Sequence, residues 1–150
     1  ITDGAAALLV AAEEAVARNG LRPFARLVDW ANEGVDPAIM GIGPVPAVRK
    51  ILERQEIGID AIDVMELNEA FAAQVLAVAR DLKLDLAKVN PNGGAIALGH
   101  PIGATGARIT VTLLHEMARA EARLGIATLC VSGGMGTALL VERTKEGGSR

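Results

Sequence analysis

The sequence predicts an α/β fold in which helices cover a mixed sheet. Three observations carry that reading. Short apolar runs alternate with stretches of helical periodicity along the chain. Glycine and proline, 17 and 6 of the 150 residues, punctuate the handovers between them. The last two apolar runs are separated only by a short Gly turn, so they should pair as an antiparallel hairpin. With 51% apolar and 22% charged residues the chain is neither disordered nor collagen-like. Its length suits one hydrophobic core.

Residues 5–12 (AAALLVAA) are uniformly small and apolar, the pattern of a strand buried on both faces. Residues 13–19 predict a helix, with Glu13 and Glu14 in its first turn and Gly20 just past its end. Residues 24–31 alternate apolar and polar well enough for a second strand. Asp36-Pro37 opens a turn, and residues 40–46 are too rich in Gly and Pro for regular structure. Pro46 suits the first turn of a helix that Ala47, Val48, Ile51 and Leu52 continue on one face.

Residues 59–67 read as a strand running into Asn68, which is placed as N-cap of a helix carrying Phe71, Val75, Val78, Ala79 and Leu82. A Gly-rich loop then spans 90–106 and feeds a helix reaching about residue 123, with Ile109, Leu113 and Met117 on one stripe. Residues 126–131 and 137–142 form the closing hairpin about a turn at 132–136. Residues 144–150 are polar and expected to fray.

Several function classes fall away on composition. A net charge of −3 supplies no basic field for nucleic acid or an anionic membrane. The apolar opening is far shorter than the roughly 20 residues of a membrane span. One cysteine excludes an intrachain disulfide and fits a reducing, cytoplasmic compartment. The chain starts at Ile1 and runs almost at once into an apolar stretch, and it is read as part of a longer polypeptide.

Three polar groups stand at strand-to-helix handovers, where ligand sites in such sheets gather: Asn68, His100 and Cys130. Each has an ordinary reading, as a helix cap, a polar loop residue and a small buried hydrophobe. Their surroundings favour chemistry. Gly93, Gly94, Gly99, Gly103 and Gly106 crowd one loop, and glycine lets backbone approach a ligand while a helix entrance directs free N–H groups at it. Such a pocket stabilises negative charge on oxygen, and a thiol of ordinary pKa near ~8.5 is only slightly mismatched as a base at neutral pH. Carbanion chemistry beside a carbonyl needs both. A nucleotide-binding module is the weaker alternative, since no G-x-G-x-x-G follows a strand and no G-x-x-x-x-G-K-[ST] occurs. His115 lacks glycine context and is assigned to the surface. Glu116, Arg119, Glu121 and Arg123 are assigned to a solvated helix face.

The stretches Asn68-Glu69-Ala70-Phe71-Ala72, Asn92-Gly93-Gly94 through Gly99-His100-Pro101-Ile102-Gly103-Ala104-Thr105-Gly106-Ala107-Arg108, and Cys130-Val131-Ser132-Gly133-Gly134-Met135-Gly136 resemble, in order, the three C-terminal signatures of the thiolases. Asp3-Gly4-Ala5-Ala6 and Gly43-Pro44-Val45-Pro46-Ala47 are similar to further stretches of that family. The resemblance implies a layered α-β-α half. Residues 1–20 would be the last strand and helix of the N-terminal half, and 21–150 the C-terminal domain. It implies acyl transfer to or from acetyl-CoA, with C–C bond formation or cleavage through an acyl-cysteine. His100 would activate the nucleophile and donate to the thioester oxygen, Asn68 would hold a water beside it, and Cys130 would move the α-proton. Phe71 and Met40 would line the pantetheine and acyl pocket.

The same resemblance implies no covalently bound cofactor and no metal, with a coenzyme A thioester as substrate and acyl-CoA and CoA as partners. It also implies contact with the N-terminal half and a homo-oligomer in the intact protein. Two departures stand out. The family's nucleophilic cysteine lies in its N-terminal half, and Cys130 is the only cysteine here. A non-catalytic half that complements another chain is therefore the second reading. Ser132 stands where the family commonly has a glycine whose N–H helps form a second oxyanion hole. If that position required φ > 0, serine would be strained by about 1 kcal/mol or more.

Overall fold

A computed structural model describes residues 2–144. The elements run α1 (Glu13–Asn19), β1 (Ala25–Gly34), α2 (Pro44–Arg54), β2 (Val64–Leu67), α3 (Ala72–Leu82), α4 (Ala95–Leu98), α5 (Thr105–Arg119), β3 (Leu124–Val131) and β4 (Met135–Arg143). Three short 3-10 helices lie at Pro37–Ile42, Ile59–Ala61 and Leu86–Lys88. The strands form one mixed sheet in the order β1-β4-β3-β2. β3 and β4 are the expected antiparallel hairpin, β1 pairs antiparallel with β4, and β2 pairs parallel with β3 from Val64↔Gly125 to Leu67↔Thr128.

Strand alternation sorts the apolar residues onto two faces. On one, Met65, Leu67, Ile126 and Leu140 pack with Val48 and Ile51 of α2 and Val78 and Leu82 of α3. On the other, Val64, Ala127 and Val141 meet Ile109, Leu113 and Met117, the stripe the sequence places on α5. Helices therefore cover both sides, and the parallel pair β2–β3 is buried between them. Gly125 lets α5 lie this close, because a Cβ there would sit 2.5 Å from Met117 Sδ and 2.9 Å from Leu113 Cδ1.

Residues 5–12 correct the first expectation. They form no strand, and Leu9 and Val10 are each 83% exposed. An apolar run needs a neighbouring ladder to become a strand, and the described residues offer it none. Helix α1 forms where expected, with Gly20 at φ 58 closing it, but it buries no residue. Helix α2 begins at Pro44 rather than Pro46, since the first turn of a helix needs no backbone donor at either position. The Gly- and Pro-rich stretch before it is partly regular, because the Asp36 carboxylate accepts from Ala38 N at 2.9 Å and starts a 3-10 helix.

The strand expected over 59–67 is confined to its last four residues. Its start is set by Asp63, whose Oδ2 accepts from the N–H groups of Arg123 (2.8 Å) and Leu124 (2.9 Å). Helix α5 stops at Arg119, and Glu121 at φ 55 turns the chain into β3. Of the terminus expected to fray, Thr144 donates its N–H to Phe24 O (3.1 Å), and 145–150 lie outside the described residues. Among the described residues no helix is long and apolar enough to cross a membrane.

The helix–sheet contact at Gly125 yields a direct test. Gly125→Ala should destabilise the fold by about 1–3 kcal/mol through overpacking against Met117 and Leu113. Gly58→Ala, where the added Cβ meets nothing within 4 Å, should stay within about 0.5 kcal/mol. Urea unfolding midpoints at unchanged slope measure both.

Candidate active site

Beyond Leu67 the parallel pairing runs on by one bond, from Asn68 N–H to Thr128 O at 2.9 Å. Asn68 thus stands at the carboxyl edge of the sheet. It does not cap α3, which begins at Ala72 behind Phe71 with no side-chain cap. The Asn68 side chain is engaged elsewhere. It is 1% exposed, its Nδ2 lies 3.5 Å from His100 Nε2, and its buried Oδ1 has no protein partner. With Phe71 in the cap position, Asn68 lies before the reach of a cap, and its amide turns inward towards His100.

His100 follows Gly99, whose φ of 91 ends α4 and turns the chain. The imidazole is set by a second contact, His100 Nδ1 to Thr105 Oγ1 at 2.7 Å. The Thr105 hydroxyl donates its proton to Pro101 O at 2.9 Å, so its oxygen is free only to accept. Nδ1 therefore carries the imidazole proton. Nε2 presents a lone pair towards Asn68 Nδ2–H, the tautomer of a general base. Thr105 is fully buried in the first turn of α5 and stands inside the Gly-rich signature. Within that signature no local pattern marks Thr105 for a role.

Cys130 lies on β3, two residues beyond the partner of Leu67 and opposite Gly136 of β4. It shares the carboxyl edge with Asn68 and is 7% exposed. Burial pushes its thiol up, against a lowering backbone hydrogen bond, so it is protonated at neutral pH. In the turn that follows, Gly133 and Gly134 take the left-handed backbone at φ 86 and 84 while Ser132 does not. Serine at 132 is thus accommodated without the strain that a positive φ would impose. Ser132 is exposed, Phe71 is 71% exposed at the entrance to α3, and Met40 is half-buried in the 3-10 helix packed on α3.

Residues 21–143 match the family model described as the thiolase C-terminal domain. The chain belongs to the thiolase family. It is 58% identical over 145 residues to the beta-ketoadipyl-CoA thiolase of Pseudomonas aeruginosa and 57% identical over 143 residues to the acetyl-CoA acetyltransferase of Escherichia coli. Each match covers 95% of this chain and 36% of the relative, so the chain spans about a third of their length. Among solved structures it resembles the Bacillus anthracis acetyl-CoA acetyltransferase with a TM-score of 0.86 and 55% identity. It also resembles human mitochondrial 3-ketoacyl-CoA thiolase in complex with CoA, with a TM-score of 0.86 and 47% identity. Each likeness covers 88% of this chain and 34% of the other.

Within this thiolase domain a buried acid escaped the sequence reading. Glu66 of β2 is 1% exposed, and neither carboxylate oxygen has a hydrogen-bond partner. By alternation it faces α5, where all three guanidinium nitrogens of Arg108 are likewise buried and unpartnered. Burial raises the Glu66 carboxyl to about 7, Arg108 opposes the rise, and Glu116 and Glu69 add to it. A lone acid inside the apolar run Val64–Leu67 was the available signal.

Glu116 also departs from expectation. It is 6% exposed, not solvated. Burial would raise its carboxyl, but Asn92 Nδ2 (2.8 Å) and the Arg119 guanidinium (2.6 Å) outweigh that and hold it below its usual value. His115 is on the surface as expected, its ring set edge-on to Phe24 with centroids 5.1 Å apart.

Two outcomes follow. Because Glu66 is raised from 4.5 in the open chain to about 7 in the fold, its contribution is fully present below pH 4.5 and lost as pH climbs through 7. Between those limits unfolding free energy should fall by roughly 3 kcal/mol from this group, and Glu66→Gln should flatten that slope in urea titrations. Thr105→Val should release His100 from the Nδ1–H tautomer, read from long-range proton–nitrogen spectra of the ring, whereas Thr105→Ser should preserve it.

Proposed function

We propose that this chain supplies the oxyanion-binding and proton-moving half of a CoA-dependent thiolase, and that a complementary half supplies the nucleophilic cysteine. The observation that carries the reading is the relay Asn68–His100–Thr105–Pro101, standing at the sheet edge that also bears Cys130. The names of the relatives, thiolases and acetyl-CoA acetyltransferases, support the substrate class. Residues 1–20 are assigned to the complementary half. The family match begins at 21, and α1 buries nothing within this chain. Exposed Leu9, Val10 and Trp30 support a cover supplied by that half.

In the cleavage direction, the lone pair on His100 Nε2 takes the proton of the nucleophilic thiol. The thiolate attacks the 3-keto carbon of the acyl-CoA. The bond between C2 and C3 breaks, and its electron pair passes into the enolate of acetyl-CoA. The imidazolium Nε2–H and a water held by Asn68 donate to the enolate oxygen. Cys130, protonated by virtue of its burial, gives its proton to the enolate carbon. Its thiolate then accepts the proton of incoming CoA, which attacks the acyl-cysteine, and the nucleophilic thiolate so released takes its proton back from the His100 imidazolium. The N–H of Ser132, just before the Gly133–Gly134 turn, donates to the oxygen of the tetrahedral carbon, a role supported by its backbone needing no positive φ. Phe71 and Met40 line the pantetheine and acyl path, and condensation is the same sequence reversed. The assembled enzyme is a homo-oligomer.

Purified 1–150 should not cleave acetoacetyl-CoA by absorbance assay, and adding the nucleophile-bearing half should restore turnover. In the complemented enzyme Cys130→Ser should abolish C–C bond formation while leaving acyl transfer to the nucleophile largely intact. His100→Ala should impair both half-reactions. Cleavage by the chain alone, or equal loss of both half-reactions in Cys130→Ser, contradicts this division of labour.

A further inference from the structure

We propose that Glu69 is a positioning residue whose carboxylate sets the spacing between Asn68 and the loop that carries His100. The part concerning turnover rests on the thiolase reading above; the geometric part does not. Asn68 and His100 belong to segments 32 residues apart in sequence, and their side chains meet only through a long 3.5 Å contact. That contact cannot hold the segments in register.

Glu69, adjacent to Asn68, reaches both ways. Its Oε1 accepts from Asn90 Nδ2 at 3.0 Å, and its Oε2 accepts from the Ile96 N–H at 2.9 Å in the first turn of α4. Helix α4 is a single turn of four residues, too short to hold itself, and it delivers Gly99 and His100 from its end. Asn90 in turn is fixed to β2. Its Oδ1 accepts from Leu67 N (2.9 Å), its Nδ2 donates to Leu67 O (2.8 Å), and its backbone N donates to Met65 O (2.9 Å). The Asn90 amide thus pairs with the last residue of β2 as a further rung would, and its two Nδ2 hydrogens serve Leu67 O and Glu69 Oε1.

Both partners of Glu69 are donors, so only a carboxylate satisfies them together. A glutamine would turn its own NH2 group towards one of them. The loop has accommodated this clamp: a Cβ on Gly94 would overlap the Glu69 carboxylate, so the space that glycine leaves open is the space the clamp fills. Two of the signatures quoted from the sequence, the one opening at Asn68 and the one ending past His100, are locked together through this one side chain.

The test is amide hydrogen exchange with ring spectra of His100 in chain 1–150, comparing wild type with Glu69→Gln. Losing a charge-assisted bond should speed exchange at Ile96 about tenfold to a hundredfold and displace the His100 ring resonances, while Val78 and Leu113 exchange within about twofold of wild type. Should that variant fail to fold, Gly94→Ala pushes on the same carboxylate from the loop side and should give the same two readouts. In the complemented enzyme Glu69→Gln should lower kcat at least about tenfold with KM within about threefold, the pattern of a misplaced base.

Unchanged exchange at Ile96, equal acceleration at Val78 and Leu113, or full kcat despite a loosened Ile96 would each overturn the proposal. An inactive wild-type complex would sink the thiolase reading instead, and the exchange and ring spectra would still decide the clamp.

Discussion

Everything at this site hangs on the parallel pairing of β2 with β3. Four residue pairs and one further bond, Asn68 N–H to Thr128 O, bring two segments about 60 residues apart to a common edge. Parallel pairing requires a long crossover, and here that crossover is the entire stretch from α3 to α5. The Gly-rich loop lies within it. The connection that makes the pairing possible is therefore also the one that returns His100 to the end of β2. Asp63 pins the opposite end of the same pair by accepting from Arg123 and Leu124, so the register has an anchor before its first rung and the Asn68 amide after its last.

Close approach of backbone and helix follows from the same arrangement. Gly125 permits α5 to settle on β3, which places Thr105 under His100 and Arg108 opposite the Glu66 side of β2. Gly43 and Gly136 touch so closely that a Cβ on Gly136 would overlap the Gly43 carbonyl, which fixes the start of β4 and hence the turn after Cys130. The polar groups in this layer are costly to bury. Glu66 responds by holding its proton towards neutral pH, whereas Glu116 keeps its charge because Asn92 and Arg119 satisfy it. Two buried acids, one on β2 and one on α5, thus shift in opposite directions because only the second has hydrogen-bonding partners.

What could be read from residues was whatever local periodicity decides. The stripe Ile109, Leu113 and Met117 is buried as its spacing requires, and the closing hairpin pairs as its short turn dictates. Asn68 shows where such reading stops. An amide before a helix is a good cap, and nothing within four residues reveals that His100 will claim it instead. Glu116 sits among charges on a helical surface, and only the fold brings Asn92 over it. The run 5–12 has the composition of a central strand, but being central depends on neighbours that the described residues do not supply. Ser132 departs from the family's glycine without strain, since the positive φ values fall on the two residues after it. The motif residues could be named from the resemblance; the groups that orient them, Thr105, Glu69 and Asn90, emerge only from hydrogen-bond geometry.

The most direct measurement is a crystal structure of this chain with its nucleophile-bearing half and bound acetoacetyl-CoA. The thioester oxygen should lie within about 3.2 Å of His100 Nε2, and the carbon that carries the transferred proton within roughly 4 Å of Cys130 Sγ. A thioester seated away from the end of β2, or a Cys130 thiol facing away from the substrate that His100 holds, would contradict the proposed division of labour.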